Sequence, residues 1–121
     1  MRIDGFEDIE SWKEARILVS QVYSALLPCR DYGLSSQMQR ASVSIMSNIA
    51  EGFDRGSNKE FIQFLIIARG SASEVKSLTY AALDLGYFDD GTFSNIVDRC
   101  TSISNLLNGF IRFLKKTDRT R

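Results

Sequence analysis

The chain has 121 residues, 44% of them hydrophobic and 25% charged, the proportions of a single folded domain rather than of a disordered or membrane-embedded chain. Fifteen basic residues balance fifteen acidic ones, so no overall charge draws the protein onto nucleic acid or an anionic membrane. Histidine is absent, and Cys29 and Cys100 are too few and too separated for a disulfide framework or a metal site, which predicts reduced thiols, a cytoplasmic setting and no cofactor.

Residues 1 to 14 carry five acids against two bases, so neither a signal peptide nor a membrane span is expected. The first helix is predicted over about residues 8–27, with Trp12, Ala15, Val19, Val22 and Leu26 forming one seam at 3-4 spacing and Pro28 ending it. The second is predicted over about 35–53, with Ser35 or Ser36 as N-cap and Gly52 and Gly56 marking its end. Ser57 and Glu60 then match a capping box that opens a third helix, predicted over about 58–85. Its seam reads Phe61, Phe64, Ala68, Ser71, Val75, Leu78, Ala82 and Leu85, and Gly86 supplies a left-handed stop. Asp89 or Asp90 caps the fourth, over about 90–116, with a seam of Phe93, Ile96, Cys100, Ile103, Leu107, Phe110 and Leu114. Short connections and a repeat near 3.5 residues predict an all-α fold, an antiparallel up-and-down four-helix bundle forming one domain over residues 1–121.

The second helix is apolar over more than one stripe. Besides Met38, Ala41, Ile45 and Ile49, it carries Val43, Met46, Ala50 and Phe53 on a different side. Those four residues are candidates for a homo-oligomer interface, the alternative being a broad core within a single bundle. Ile62, Leu65, Ile66 and Ala72 repeat the hint on the third helix.

A polar stripe of Arg40, Ser44, Ser47 and Glu51 runs along the second helix, and reads either as its solvated side or as a close helix contact. Serine is a weak helix former beside Lys, Glu or Gln, and short hydroxyl side chains suit close approach. With Asn48, Ser71 and Glu74 these residues form a candidate structural polar network, in which Arg40 is expected to reach Glu74 across the hairpin.

The C-terminal end is basic. Arg99, Arg112, Lys115, Lys116, Arg119 and Arg121 face one acid, Asp118, over residues 99–121. Arg112, Lys115, Lys116, Arg119 and Arg121 are the candidate nucleic-acid contacts, with Arg55, Lys59 and Arg69 as secondary ones. Their chemistry points to phosphates, with Phe110 and Phe113 the aromatics within reach.

The strings RAxxSIxxNIAEG and AxGSxxE are specific in combination. They stand here as Arg40-Ala41 with Ser44-Ile45 and Asn48-Ile49-Ala50-Glu51-Gly52, and as Ala68 with Gly70-Ser71 and Glu74. This block, with FEDIESWKEARIL before it, resembles the bacterial four-helix-bundle proteins encoded by intervening sequences in large-subunit ribosomal RNA genes, over about residues 6 to 88. The family is related in fold to the accessory variability protein of diversity-generating retroelements, a pentamer that works with a reverse transcriptase and RNA. The resemblance implies a homo-oligomer, five subunits being its natural number, and it implies no catalytic activity.

The residues themselves give enzyme chemistry little support. No imidazole base exists, and Ser, Lys and Tyr form no nucleophile motif. Glu51 and Glu74 lack the Glu-x-x-His partners of di-metal bundles, and Gly70-Ser71 has neither the preceding strand nor the following Lys of a phosphate loop. Two functional expectations follow: a non-enzymatic module associating with structured RNA through its basic end, or a protein-binding scaffold without nucleic-acid contact.

Overall fold

The computed structural model describes residues 2–117, in which a short 3-10 turn at Phe6–Asp8 precedes four helices: α1 (Glu10–Leu26), α2 (Tyr32–Phe53), α3 (Asn58–Asp84) and α4 (Asp90–Lys116). No strand occurs among the described residues. Each helix packs against the two beside it, α4 closing back on α1, and the backbones of the diagonal pairs stay apart. The result is a square four-helix bundle with short turns, as predicted. No helix among the described residues is long and apolar enough to cross a membrane.

Caps explain where the helices begin and end. Asp31 accepts the Leu34 N–H at 3.1 Å, so α2 starts at Tyr32 and not at Ser35 or Ser36, as the sequence suggests. An aspartate right after the Pro28 turn satisfies the first free amides before either serine is reached, and Ser35 lies inside the helix, buried. At α3 the Ser57 hydroxyl accepts the Glu60 N–H at 3.3 Å while its own proton meets the Glu60 carboxylate at 3.1 Å. The stop at Gly86 is as expected, with φ +82°. Its N–H reaches the Leu83 carbonyl and the Tyr87 N–H reaches the Ala82 carbonyl, the paired bonds of a Schellman turn.

The seams run slightly differently from the predicted ones. On α3 the core face is Phe61, Leu65, Ala68, Ala72, Val75, Thr79 and Ala82. Phe64, Ser71 and Leu78 are half-buried and Leu85 is exposed. A helix between two neighbours buries a band centred between them, and the predicted string followed one flank of that band. The same shift puts Leu18 rather than Val19 at the centre of α1 and Ile111 rather than Phe110 in the core of α4. Small residues hid the true line, since Ala72 and Thr79 contribute little hydropathy to a pattern.

Phe61 is the largest fully buried side chain. Its ring meets Phe53 and Phe110 edge-on at centroid separations of 6.1 and 5.2 Å, joining α2, α3 and α4 at one end of the core.

Candidate functional site

Three surfaces contain the residues singled out in the sequence: the α2–α3 contact, the outward sides of those two helices, and the basic end.

At the α2–α3 contact, Gly52 is buried within the last turn of α2. A Cβ there would lie 2.6 Å from the Phe64 Cβ and 2.9 Å from the Phe61 ring, so Gly52 is required for close approach and not as a helix stop. Two turns earlier the Ser44 and Ser71 hydroxyls meet at 3.0 Å, and the Asn48 amide donates to the Ser44 hydroxyl at 3.0 Å and its carbonyl at 2.8 Å. Short side chains here make a hydrogen-bonded contact between two closely spaced backbones.

The remaining members of the expected network are elsewhere. Ser47 is exposed and donates to the Val43 carbonyl, while Glu51 pairs with Arg55 at 3.4 Å on the surface. Arg40 and Glu74 are both exposed, and no ion pair joins them among the described residues. Both sit about one turn beyond the Ser44–Ser71 contact toward the same end of the bundle, yet each extends into water, where desolvation costs nothing.

The second apolar stripe of α2 divides. Met46 and Phe53 are half-buried and pack against this chain's own core, so the broad-core alternative accounts for them. Val43 is 37% exposed, and Ala50 is half-buried on the same outward side. On α3, Leu65 and Ala72 belong to the core, whereas Ile66 and the neighbouring Ile67 are 39% and 52% exposed.

The basic candidates divide too. Arg112, Lys115 and Lys116 are exposed along the last turns of α4, and Lys59 is exposed in the first turn of α3. These two helix ends are tied together: buried Asn58 donates to the Thr117 carbonyl just past the end of α4 and, at 3.5 Å, to that of Leu114, which also accepts the Thr117 N–H. Phe113 stands 61% exposed among these cations. Arg55 lies over the Phe64 ring at 4.8 Å besides pairing with Glu51. Arg69 donates to Asn108 at 2.8 Å and bridges α3 to α4. Arg119 and Arg121 lie outside the described residues.

One polar bridge escaped the sequence reading. Arg99 on α4 donates to Glu14 at 2.8 Å and to Gln21 at 3.3 Å, both on α1. The available signal was a charged residue directly beside a core position on each of two facing helices, Glu14 before Ala15 and Arg99 before Cys100.

The groups with displaced ionisation serve the fold. The N–H groups of Asp4 and Gly5 hold the Asp8 carboxyl below its ordinary range, and the Thr92 N–H does the same for Asp89, the cap of α4. Burial pushes the Cys100 thiol up to about 12, far from a reactive thiolate at neutral pH. No group of three or more Cys, Asp or Glu among the described residues is arranged to hold a metal ion. An open cleft of about 480 Å³ beside Tyr23, Cys29 and Tyr32 is lined by no Asp, Glu, Lys or Arg, and an apolar groove of about 290 Å³ between Ile9 and Phe113 is lined by one charged residue, Glu10.

Residues 7–109 match the family model described as 23S rRNA-intervening sequence protein. The chain belongs to that family. The match spans all of α1, α2 and α3 and most of α4, so the intervening-sequence signature covers the bundle itself. No curated protein matches the chain. A solved structure from Bacteroides thetaiotaomicron, a protein of unknown function from the S23 ribosomal protein family, shares the fold with a TM-score of 0.79 at 24% identity, covering 84% of this chain and 98% of its own.

Proposed function

We propose that this intervening-sequence protein is a non-enzymatic, homo-oligomeric bundle, pentameric by its family resemblance, that associates in the cytoplasm with structured RNA through its basic end. The observation that carries the reading is the cluster of Arg112, Lys115, Lys116 and Lys59, exposed around one end of the bundle with an exposed aromatic, Phe113, among them. Two adjoining helix ends supply these cations, and Asn58 fixes their relative position. Lys115 and Lys116 first offset the negative end of the α4 dipole, so one copy presents only a modest positive field. Repetition around a ring multiplies that field, since linked weak contacts add in avidity. Such binding is directed to phosphates, with Phe113 available to an unstacked base, and it weakens steeply with salt, by about 0.7–0.9 in log K per log unit of salt for each phosphate engaged.

The test is a fluorescence-anisotropy titration of a structured large-subunit rRNA fragment at low salt. Binding that is lost in a Lys115→Glu, Lys116→Glu variant with unchanged helical circular dichroism supports the proposal. Absence of binding by the natural chain even at low salt rejects it. The protein-scaffold reading draws on the engagement of Arg55 and Arg69 within the fold, which reduces the free positive charge. A protein partner retained in a pull-down after nuclease treatment would favour that reading.

A further inference from the structure

We infer that a second copy of this chain docks on the outward side of α3 at Gly70, presenting the outward side of its own α2. This rests on the homo-oligomeric reading above and deepens it by assigning the contact.

The argument begins with a glycine that the single chain does not explain. Gly70 lies in the middle of the 27-residue helix α3, where glycine costs about 1 kcal/mol relative to alanine. Gly52 justifies its cost by close packing and Gly86 by its positive φ. Gly70 has neither reason: it is exposed, and an added Cβ would meet nothing within 4 Å. Around it the surface is not that of an ordinary solvated helix side. Ile66 and Ile67, one turn before it, are 39% and 52% exposed, and Ser73 and Ser77 follow on the exposed side. The outward side of α2 has matching character, with Val43 37% exposed and Ser47 exposed one turn later. A helix that brings Val43 and Ser47 against a glycine can approach backbone to backbone, burying both isoleucines.

Charge selects a second copy as the occupant. Arg40 on α2 and Glu74 on α3 flank these two sides, both exposed and not paired with each other within the chain. When α2 of one subunit meets α3 of the next, Arg40 of the first faces Glu74 of the second, so the two charges that stand apart within one chain meet across the contact. The symmetry agrees. Adjacent helices of a square bundle present outward sides at roughly 90°, and a head-to-tail contact between such sides that adds no rise along the bundle closes a small ring, of four subunits at about 90° and five once the sides open to about 108°.

The experiment is multi-angle light scattering of the full chain at tens of micromolar, comparing Gly70→Trp, Ile67→Glu, Arg40→Glu, Glu74→Arg and the double charge swap Arg40→Glu, Glu74→Arg. The natural chain is expected as a small ring. Gly70→Trp and Ile67→Glu are expected at the 13.6 kDa of one subunit with helical circular dichroism unchanged, because both positions are exposed in the isolated chain. Each single charge reversal is expected to weaken assembly at least tenfold and the double swap to restore it. A ring that persists in folded Gly70→Trp and Ile67→Glu overturns this contact while leaving the homo-oligomeric reading intact. A monomeric natural chain overturns both. Should Gly70→Trp fail to fold, the charge series decides: indifferent single reversals, or a double swap that does not restore assembly, also overturn the contact.

Discussion

The α2–α3 and α1–α4 contacts solve the same problem in opposite ways. Between α2 and α3 the backbones come close enough that Gly52 has no room for a Cβ, and the polar atoms that meet are the short hydroxyls of Ser44 and Ser71 with the Asn48 amide beside them. Between α1 and α4 the bridge is made by long side chains, Arg99 reaching Glu14 and Gln21 across the rim, with the ion-paired side chains 29% and 23% exposed. Close contact fixes position through shape, where every atom displaced is felt. A long-armed bridge fixes it through a flexible, partly hydrated pair. The two outward surfaces differ in the same sense: isoleucines and serines on the α3 side, Asn95, Asp98 and Ser102 beside Arg99 on the other.

On this contrast, substitutions at the close contact are expected to be the costly ones. Phe61→Ala is expected to lower stability by about 3–5 kcal/mol in urea unfolding, because it empties the junction of α2, α3 and α4. Gly52→Ala should cost about 1–3 kcal/mol in spite of the gain in helix propensity, since its methyl would meet the Phe64 and Phe61 side chains inside van der Waals range. A neutral or stabilising Gly52→Ala would mean that the α2–α3 contact is no tighter than the α1–α4 one.

Behind the polar bridge, Cys100 measures how dry the core is. Its folded pKa is raised from 9.0 to about 12, so between those values the unfolded chain releases a proton that the folded chain keeps, and stability falls as pH rises. The contribution is at most about 1.4 kcal/mol per pH unit, starting near the ordinary thiol pKa. Comparing alkaline unfolding of the natural chain with Cys100→Ala isolates it, the variant showing the shallower decline. The smallest effect is expected at the bridge: Glu14→Gln should change stability by less than about 1 kcal/mol, with the difference shrinking in added salt.

Helices, turns and the family block were legible because they depend on local signals: Ser57 and Glu60, Gly86, and seams repeating at helical spacing. Which flank of each seam faces the centre was less legible, because Ala72, Thr79 and Ser11 are buried without looking hydrophobic while Phe64 and Trp12 look hydrophobic and sit at the edge. The polar stripe shows the same limit. Ser44, Asn48 and Ser71 converge, but Arg40 and Glu74 do not, since side-chain reach along a sequence says nothing of whether water or a partner will hold a charge. Gly70 was visible from the start, and only the empty space around it distinguishes it from Gly52.

The spacing of the clasps along the chain has a kinetic consequence. Ser44 meets Ser71 across 27 residues, whereas Asn58 holds the end of α4 from 56 residues away and Glu14 waits for Arg99 from 85. The α3–α4 hairpin closes an equally short loop, Lys76 reaching Thr101 across 25 residues, so what marks α2–α3 as the expected nucleus is its closer packing at Gly52, and α1, tied on by the longest loop, is expected to join last. Weakening the Arg99 bridge would then hasten unfolding while leaving the refolding rate almost untouched, and a defect at Gly52 would slow the forward reaction. The two sides of the bundle thus divide labour in time: one hastens assembly of the fold, the other delays its loss.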